Sequence, residues 1–248
     1  MRKESWLDPV RESLDRRTAS VDLFVRDDDA GWENDRLFCL LDVVRSRGMP
    51  IDLAAIPAAL TPPFAADLRR TLAASNGLVS VHQHGLAHAN HEPDGRKSEF
   101  GPSRSTAEQR DDIATGRRIL EDMLGAKGNR VFTPPWNRCT AETAAALVDL
   151  GFDVLSRDRT APALGVAALG ELTVGLDWTG RRGLTLGAIG WGQSIARAVA
   201  QASAPLGLML HHAVMTQADH QLLGELLDLL AAHPAARVRP MLEWRGDA

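Results

Sequence analysis

Leu78-Val79-Ser80-Val81-His82-Gln83-His84-Gly85-Leu86-Ala87-His88-Ala89-Asn90-His91 is the stretch on which the reading of this chain turns. It starts as a short apolar run and ends in imidazoles, and it holds four of the chain's eight histidines. Successive side chains on a strand face opposite ways, so His82 and His84 share one face while Val79, Val81 and Gln83 share the other. An apolar strand that stops at chemically active groups is the signature of a parallel α/β sheet, where residues past the carboxyl end of a strand point into the site. His84 and His88 form a His-x-x-x-His pair, and Gly85 permits a tight turn between them. If residues 85–88 begin helical, both imidazoles project to one side, a common way to hold one metal ion. A three-ligand site then needs one more donor, and a carboxylate is a normal choice. His82 and His91 are left to orient a ligand or the substrate.

Other short apolar runs repeat the pattern. They are Val21–Val25, Ile51–Ile56, Leu78–Val81, Val131–Thr133, Phe152–Leu155, Leu172–Leu176 and Leu206–Leu210, with Val238–Leu242 as an eighth candidate. They read as buried parallel strands. Helical spacing lies between them in Leu37, Leu40, Leu41 and Val44, and in Ile113, Leu120 and Leu124 behind a capping-box candidate, Thr106 with Gln109. Thr61-Pro62 reads as an N-cap followed by proline. Leu222, Leu223, Leu226, Leu227 and Leu230 mark a late helix after Thr216. Repeated β-then-α units imply a parallel sheet, open or closed. Residues 93–105 and 157–170 read as long irregular loops, a length often tied to function.

The donor that the histidines lack is offered by Asp27-Asp28-Asp29, which ends the first apolar run. Three adjacent carboxylates repel one another, and a cation relieves the repulsion; an acidic helix start near Trp32 is the competing reading. Two further strand ends carry chemistry. Thr133-Pro134-Pro135-Trp136-Asn137-Arg138 joins a stiff backbone to a flat indole on which a sugar ring can stack. Leu210-His211-His212 supplies an acid–base candidate, and a strand sends only one of the two histidines to a given face. Asp177-Trp178 ends another run.

Composition narrows the class. A chain of 248 residues suits a single α/β barrel, and 44% hydrophobic residues suffice for a core. The expected organisation is one domain over 1–248, with 1–20 as an N-terminal extension. A net charge of −4 with no Lys/Arg block argues against nucleic acid. No apolar run approaches membrane-spanning length, and no signal core follows the charged first residues. Cys39 and Cys139 match no zinc or redox spacing and are expected to be reduced in a cytoplasmic protein.

Taken in order, these segments resemble the polysaccharide deacetylases, the NodB-homology group of carbohydrate esterase family 4. That family has an acidic pair after the first strand, a His-x-x-x-His, an Arg-x-Pro-aromatic segment, an Asp-Trp and a Leu-x-His. The counterparts here are Asp28-Asp29, His84 with His88, Pro134-Pro135-Trp136, Asp177-Trp178 and Leu210-His211, spread over most of the chain. The resemblance implies a distorted (β/α) barrel of seven or eight parallel strands. It implies a divalent metal, zinc first, with Co2+, Ni2+ or Fe2+ as alternatives. It also implies hydrolysis of an N-acetyl or similar acyl group on a carbohydrate or small amino-sugar. Asp28 would be the general base and Asp29, His84 and His88 the ligands, with Asp27-Asp28 as the other register. His211 or His212 would be the general acid, and Trp136, Asp27, Arg138 and His82 would meet substrate. The sequence departs from the family in two places. Arg26 and an extra Asp alter the acidic segment, and Thr133 stands where the family has the arginine that holds the catalytic carboxylate; Arg26 and Arg138 are the candidates to replace it. These departures, with no signal core, point to a small intracellular substrate. An amidase acting on a non-sugar C–N bond and a non-catalytic metal- or sugar-binding module are the alternatives.

Overall fold

The computed structural model describes residues 5–125, 130–179 and 183–244. Eight strands form one sheet: β1 (Val21–Ala30), β2 (Ile51–Ala55), β3 (Val79–His84), β4 (Val131–Thr133), β5 (Val154–Asp158), β6 (Gly170–Asp177), β7 (Leu206–Leu210) and β8 (Ala236–Val238). Every pairing is parallel. The first seven close in sequence order, because β1 pairs with both β2 and β7. The expected distorted barrel is therefore present, and its distortion lies at β1. One edge of β1 carries β7 along Leu23–Asp27. The other edge is divided: β8 takes Val21–Leu23 and β2 takes Arg26–Ala30, across a bulge after Asp27.

Helices α2 (Asn34–Arg45), α3 (Pro62–Ala74), α4 (Thr106–Leu124), α5 (Ala141–Asp149), α6 (Gly183–Gln201) and α7 (Gln217–Ala232) connect successive strands, except that β5 runs to β6 through the irregular residues 159–169. In α3, the Thr61 hydroxyl accepts from Phe64 N–H and prolines occupy the first turn, as the sequence suggests. The capping box of α4 falls one residue earlier than Thr106 with Gln109: Ser105 and Glu108 form it. Gln109 is instead buried, donating to Gly101 and Arg104 carbonyls and accepting from Thr143. Within the expected N-terminal extension, residues 1–4 lie outside the described residues, and a helix not anticipated, α1 (Asp8–Asp15), buries Val10 and Leu14 against α6. Among the described residues no helix is long and apolar enough to cross a membrane.

Strand alternation sorts the core into two layers. Leu23, Val25, Leu53, Val79, Val81 and Leu208 face the helices. Phe24, Val154, Leu172, Val174 and Met209 face the barrel interior, where Met241 and Trp244 from a one-turn 3-10 helix (Met241–Trp244) close the amino-terminal end. The eighth strand candidate thus ends at Val238, and Met241-Leu242 belong to this closing turn. Gly207 is required there, because a Cβ would strike the Phe24 ring and lie 2.9 Å from Thr173 O.

A carboxylate of β2 sits in this lower half. Asp52 is fully buried and accepts from Met241 N–H at 3.0 Å and from the Ser80 hydroxyl. Burial outweighs both hydrogen bonds and pushes its pKa up to about 6. A carboxyl whose native pKa is raised holds its proton more tightly folded than unfolded, so its charged form costs stability as pH rises from about 4 through 6. Asn keeps an acceptor for Met241 N–H and a donor for Ser80. Asp52→Asn is therefore expected to remove that pH dependence and to raise stability at pH 8 by on the order of 2 kcal/mol. Thermal unfolding of both proteins between pH 4 and 8 checks this; parallel pH curves for the two proteins contradict it.

Candidate active site

The upper half of the barrel interior is polar, and β1 sets its geometry. Arg26 and Asp28 are two residues apart and so share the inward face, while Asp27 faces outward. Both inward side chains are buried. Arg26 Nε donates to Asp28 Oδ1 and Nη2 to Oδ2, each at 2.8 Å. The same guanidinium donates to Ser156 Oγ on β5 and to Asn137 Oδ1, both at 2.8 Å, and touches Met209 Sδ on β7. Burial would raise the pKa of Asp28, but Arg26, helped by His84 and His211, brings it down to about 2. Of the two arginines that could replace the family's motif arginine, Arg26 makes the contact. Arg138 donates to Lys97 O at the rim instead.

Alternation would send Asp29 outward with Asp27. The bulge in β1 and a left-handed backbone at Asp29 (φ 72°) redirect it. Its Oδ1 lies 3.3 Å from His84 Nε2 and 3.4 Å from His88 Nε2. One donor atom from each of the three residues falls within 4.8 Å of the others. The His84 ring is fixed by Nδ1–H donating to Thr133 O at 3.0 Å, which turns Nε2 toward Asp29.

Residues 85–88 are not helical, contrary to the sequence expectation. Gly85 (φ 59°) and His88 (φ 54°) are both left-handed, and the segment is an irregular loop. Glu99 holds it: Oε1 accepts from Leu86 and Ala87 N–H at 3.3 and 2.8 Å. The His88 ring packs against Trp136 (centroids 4.3 Å apart) and meets Trp32 in a T-shaped contact (centroids 5.0 Å apart). Glu99 lies in a polar loop with no pattern to distinguish it, and Trp32 read only as a helix start. Asn137 and Thr179 were likewise missed.

The two adjacent histidines part ways. His211 is half-buried, and its Nδ1 meets Thr179 Oγ1 at 3.0 Å. His212 is fully buried: Nδ1 donates to Asp27 Oδ2 at 2.7 Å, Nε2 donates to Trp32 O at 2.8 Å, and its backbone N–H donates to Asp27 Oδ1. Burial disfavours the charged ring, but the Asp27 carboxylate overrides it and pushes His212 up to about 9. Four sequence expectations need correction here. Asp27 and His212 saturate each other outside the barrel, so neither reaches a substrate, and the Asp27-Asp28 register is not the one that meets the histidines. His82 is buried inside the barrel against Thr133 Oγ1 at 2.8 Å, and burial, reinforced by Arg26, pushes its pKa down to about 3; it is a neutral strut with no access to the mouth. His91 is exposed. Trp136 and Arg138 line an open cavity of about 290 Å³ beside the site, together with Asn137, Asp177 and Met209. Trp178 is buried, stacked on Trp191.

No family model matches the sequence, and no curated protein matches it. Solved structures do. A Mycobacterium smegmatis protein called a polysaccharide deacetylase superposes with a TM-score of 0.67 at 15% identity, covering 94% of this chain and 92% of its own. A family 4 acetyl xylan esterase from Clostridium thermocellum, in complex with a cobalt ion, gives 0.57 at 14%, covering 90% and 89%. A family 4 carbohydrate esterase from Streptomyces lividans, in complex with acetate, gives 0.53 at 14%, covering 86% and 88%. At such identities the likeness is one of fold: this chain has the (β/α) barrel of the polysaccharide deacetylases, the NodB type, along nearly its whole length.

Proposed function

We propose that the protein is a metal-dependent hydrolase that removes an N-acetyl or similar acyl group from a carbohydrate or small amino-sugar. The observation that carries this reading is the convergence of Asp29, His84 and His88 directly above an ionised Asp28 locked to Arg26. The three residues suit a divalent ion. Two imidazole nitrogens and one carboxylate oxygen are a normal hydrolytic donor set, His84 is pre-oriented by Thr133, and Asp29 Oδ1 lies between the two Nε2 atoms. Zinc is the first choice for such a set, with Co2+, Ni2+ or Fe2+ as alternatives. That the similar acetyl xylan esterase holds a cobalt ion supports it.

A bound divalent ion would polarise the acyl carbonyl and make a water molecule more acidic. The remaining chemistry belongs to side chains. Asp28 takes the proton of the attacking water; its low pKa keeps it ionised throughout the neutral range. His211 returns a proton to the departing amine, which is otherwise a very poor leaving group. The Thr179 contact fixes the His211 ring through Nδ1 and leaves Nε2 for that transfer. Trp136, in contact with His88, offers a flat face to the sugar ring. The reading as a non-catalytic module rested on the missing motif arginine, and the guanidinium of Arg26 beside Asp28 weighs against it.

Two sets of variants test this. Asp29→Ala, His84→Ala and His88→Ala are each expected to lose metal through gel filtration, measured by elemental analysis; full occupancy in His84→Ala would sink the ligand assignment. Asp28→Asn and His211→Gln are expected to retain metal while acetate release from N-acetylated sugars falls about 10²–10⁴-fold. Activity within a factor of three of the parent would remove either residue from the mechanism. Arg26→Gln leaves a buried carboxylate unpaired and is expected to cost about 3–5 kcal/mol in denaturant unfolding. Adding Asp28→Asn to Arg26→Gln is expected to recover a large part of that loss.

A further inference from the structure

The cavity beside the site holds charge that the reaction above does not use. Its rim is made by two loops that pin each other. Arg138 Nη1–H donates to Lys97 O at 2.7 Å, the Ser98 hydroxyl donates to Arg138 O, and Phe100 bridges to Cys139. This strapping sets Arg96, from the long loop after β3, and Arg138, from the loop after β4, on the same 290 Å³ cavity. Among the described residues neither guanidinium makes an ion pair, and Arg138 Nε is buried without a hydrogen-bond partner. Desolvation, with Arg96 adding like-charge repulsion, lowers the Arg138 pKa. The other charged residues lining the cavity are otherwise disposed. Arg157 is held by Glu171 at 2.6 Å and by Pro162 O. The Asp158 carboxylate accepts from Thr160. Asp177 lies on the inner side with Met209. Arg96 is exposed and Arg138 half-buried on this rim, and an anion bound between them would accept charge-assisted, fork-shaped hydrogen bonds from both.

Resting on the deacylase reading, we propose that the substrate is anionic: its N-acyl group sits at Asp29, His84 and His88, and a phosphate or carboxylate elsewhere on the same small molecule is bound by Arg96 and Arg138. Trp136 links the two places: it lines the cavity, and its ring touches His88.

The test is a titration of the metal-loaded protein by calorimetry with three probes. These are N-acetylglucosamine, N-acetylglucosamine 6-phosphate and N-acetylmuramic acid, which are neutral, phosphorylated and carboxylated. At least one anionic probe is expected to bind tenfold or more tightly than the neutral sugar, and which one does so names the anion. That preference is expected to fall below threefold in the Arg96→Gln/Arg138→Gln double variant and to weaken with salt. Equal binding of all three probes, no binding by either anionic probe, or a preference that survives in the double variant overturns the proposal. Acetate release is measured on the same samples. Anion-selective binding without acetate release would leave the anion site standing and reject the deacylase reading. Acetate release with no anion preference would do the reverse.

Discussion

A guanidinium and a carboxylate face each other in the middle of the barrel, both removed from water, and the site is arranged around them. Arg26 and Asp28 are joined by two hydrogen bonds, and the remaining Arg26 donors reach β5 and the loop after β4. Below the pair the interior is mainly apolar, with Phe24, Met241 and Trp244. Above it come the two histidines and Asp29. A buried pair of this kind is weak as a source of stability, since desolvation offsets much of the attraction. Its value is positional: it fixes a charged oxygen at one height in the barrel, and the imidazoles are set against that height.

The pair also accounts for the altered motif. In the family that the sequence resembles, the arginine comes from the segment after the fourth strand. Here Thr133 stands in that place and serves the histidines, its carbonyl holding His84 and its hydroxyl holding His82. The guanidinium comes from β1 itself, two residues before the acid it holds. A charged residue on the inward face of a barrel strand is costly without a partner, and an i, i+2 pair on one strand puts that partner on the same face.

Much of this was legible in the sequence, for identifiable reasons. Apolar runs located the first seven strands, and period-two alternation put His82 and His84 on one face; the eighth candidate meets β8 only at Val238. The resemblance supplied closure of the sheet, which local patterns do not encode. What was hidden depended on backbone sign and tertiary partners. Asp29 and His88 reach each other only through left-handed residues, which no pattern of side-chain types announces. His211 and His212 look equivalent as neighbours, and only the buried Asp27 carboxylate assigns one of them to a structural peg. Glu99 is one acid in a polar loop until the fold lays it against Leu86 and Ala87 N–H. Ser105, not Thr106, caps α4 because Gln109 is needed inside.

The division of one β1 edge between β2 and β8 has a consequence for how the chain is made. The strand that carries Arg26, Asp28 and Asp29 is synthesised first, yet its lower half pairs with residues 236–238 and its other edge with residues 206–210. These are the most sequence-distant pairings in the sheet. The seam cannot close until residues 206–210 and 236–238 have left the ribosome, and the Met241–Trp244 turn that stops the base of the barrel follows them. Contacts of such long sequence separation pay their loop-closure entropy before any reward and slow the search for the native state. Loss of the Met241–Trp244 turn would therefore be felt in β1, the strand on which the site is built.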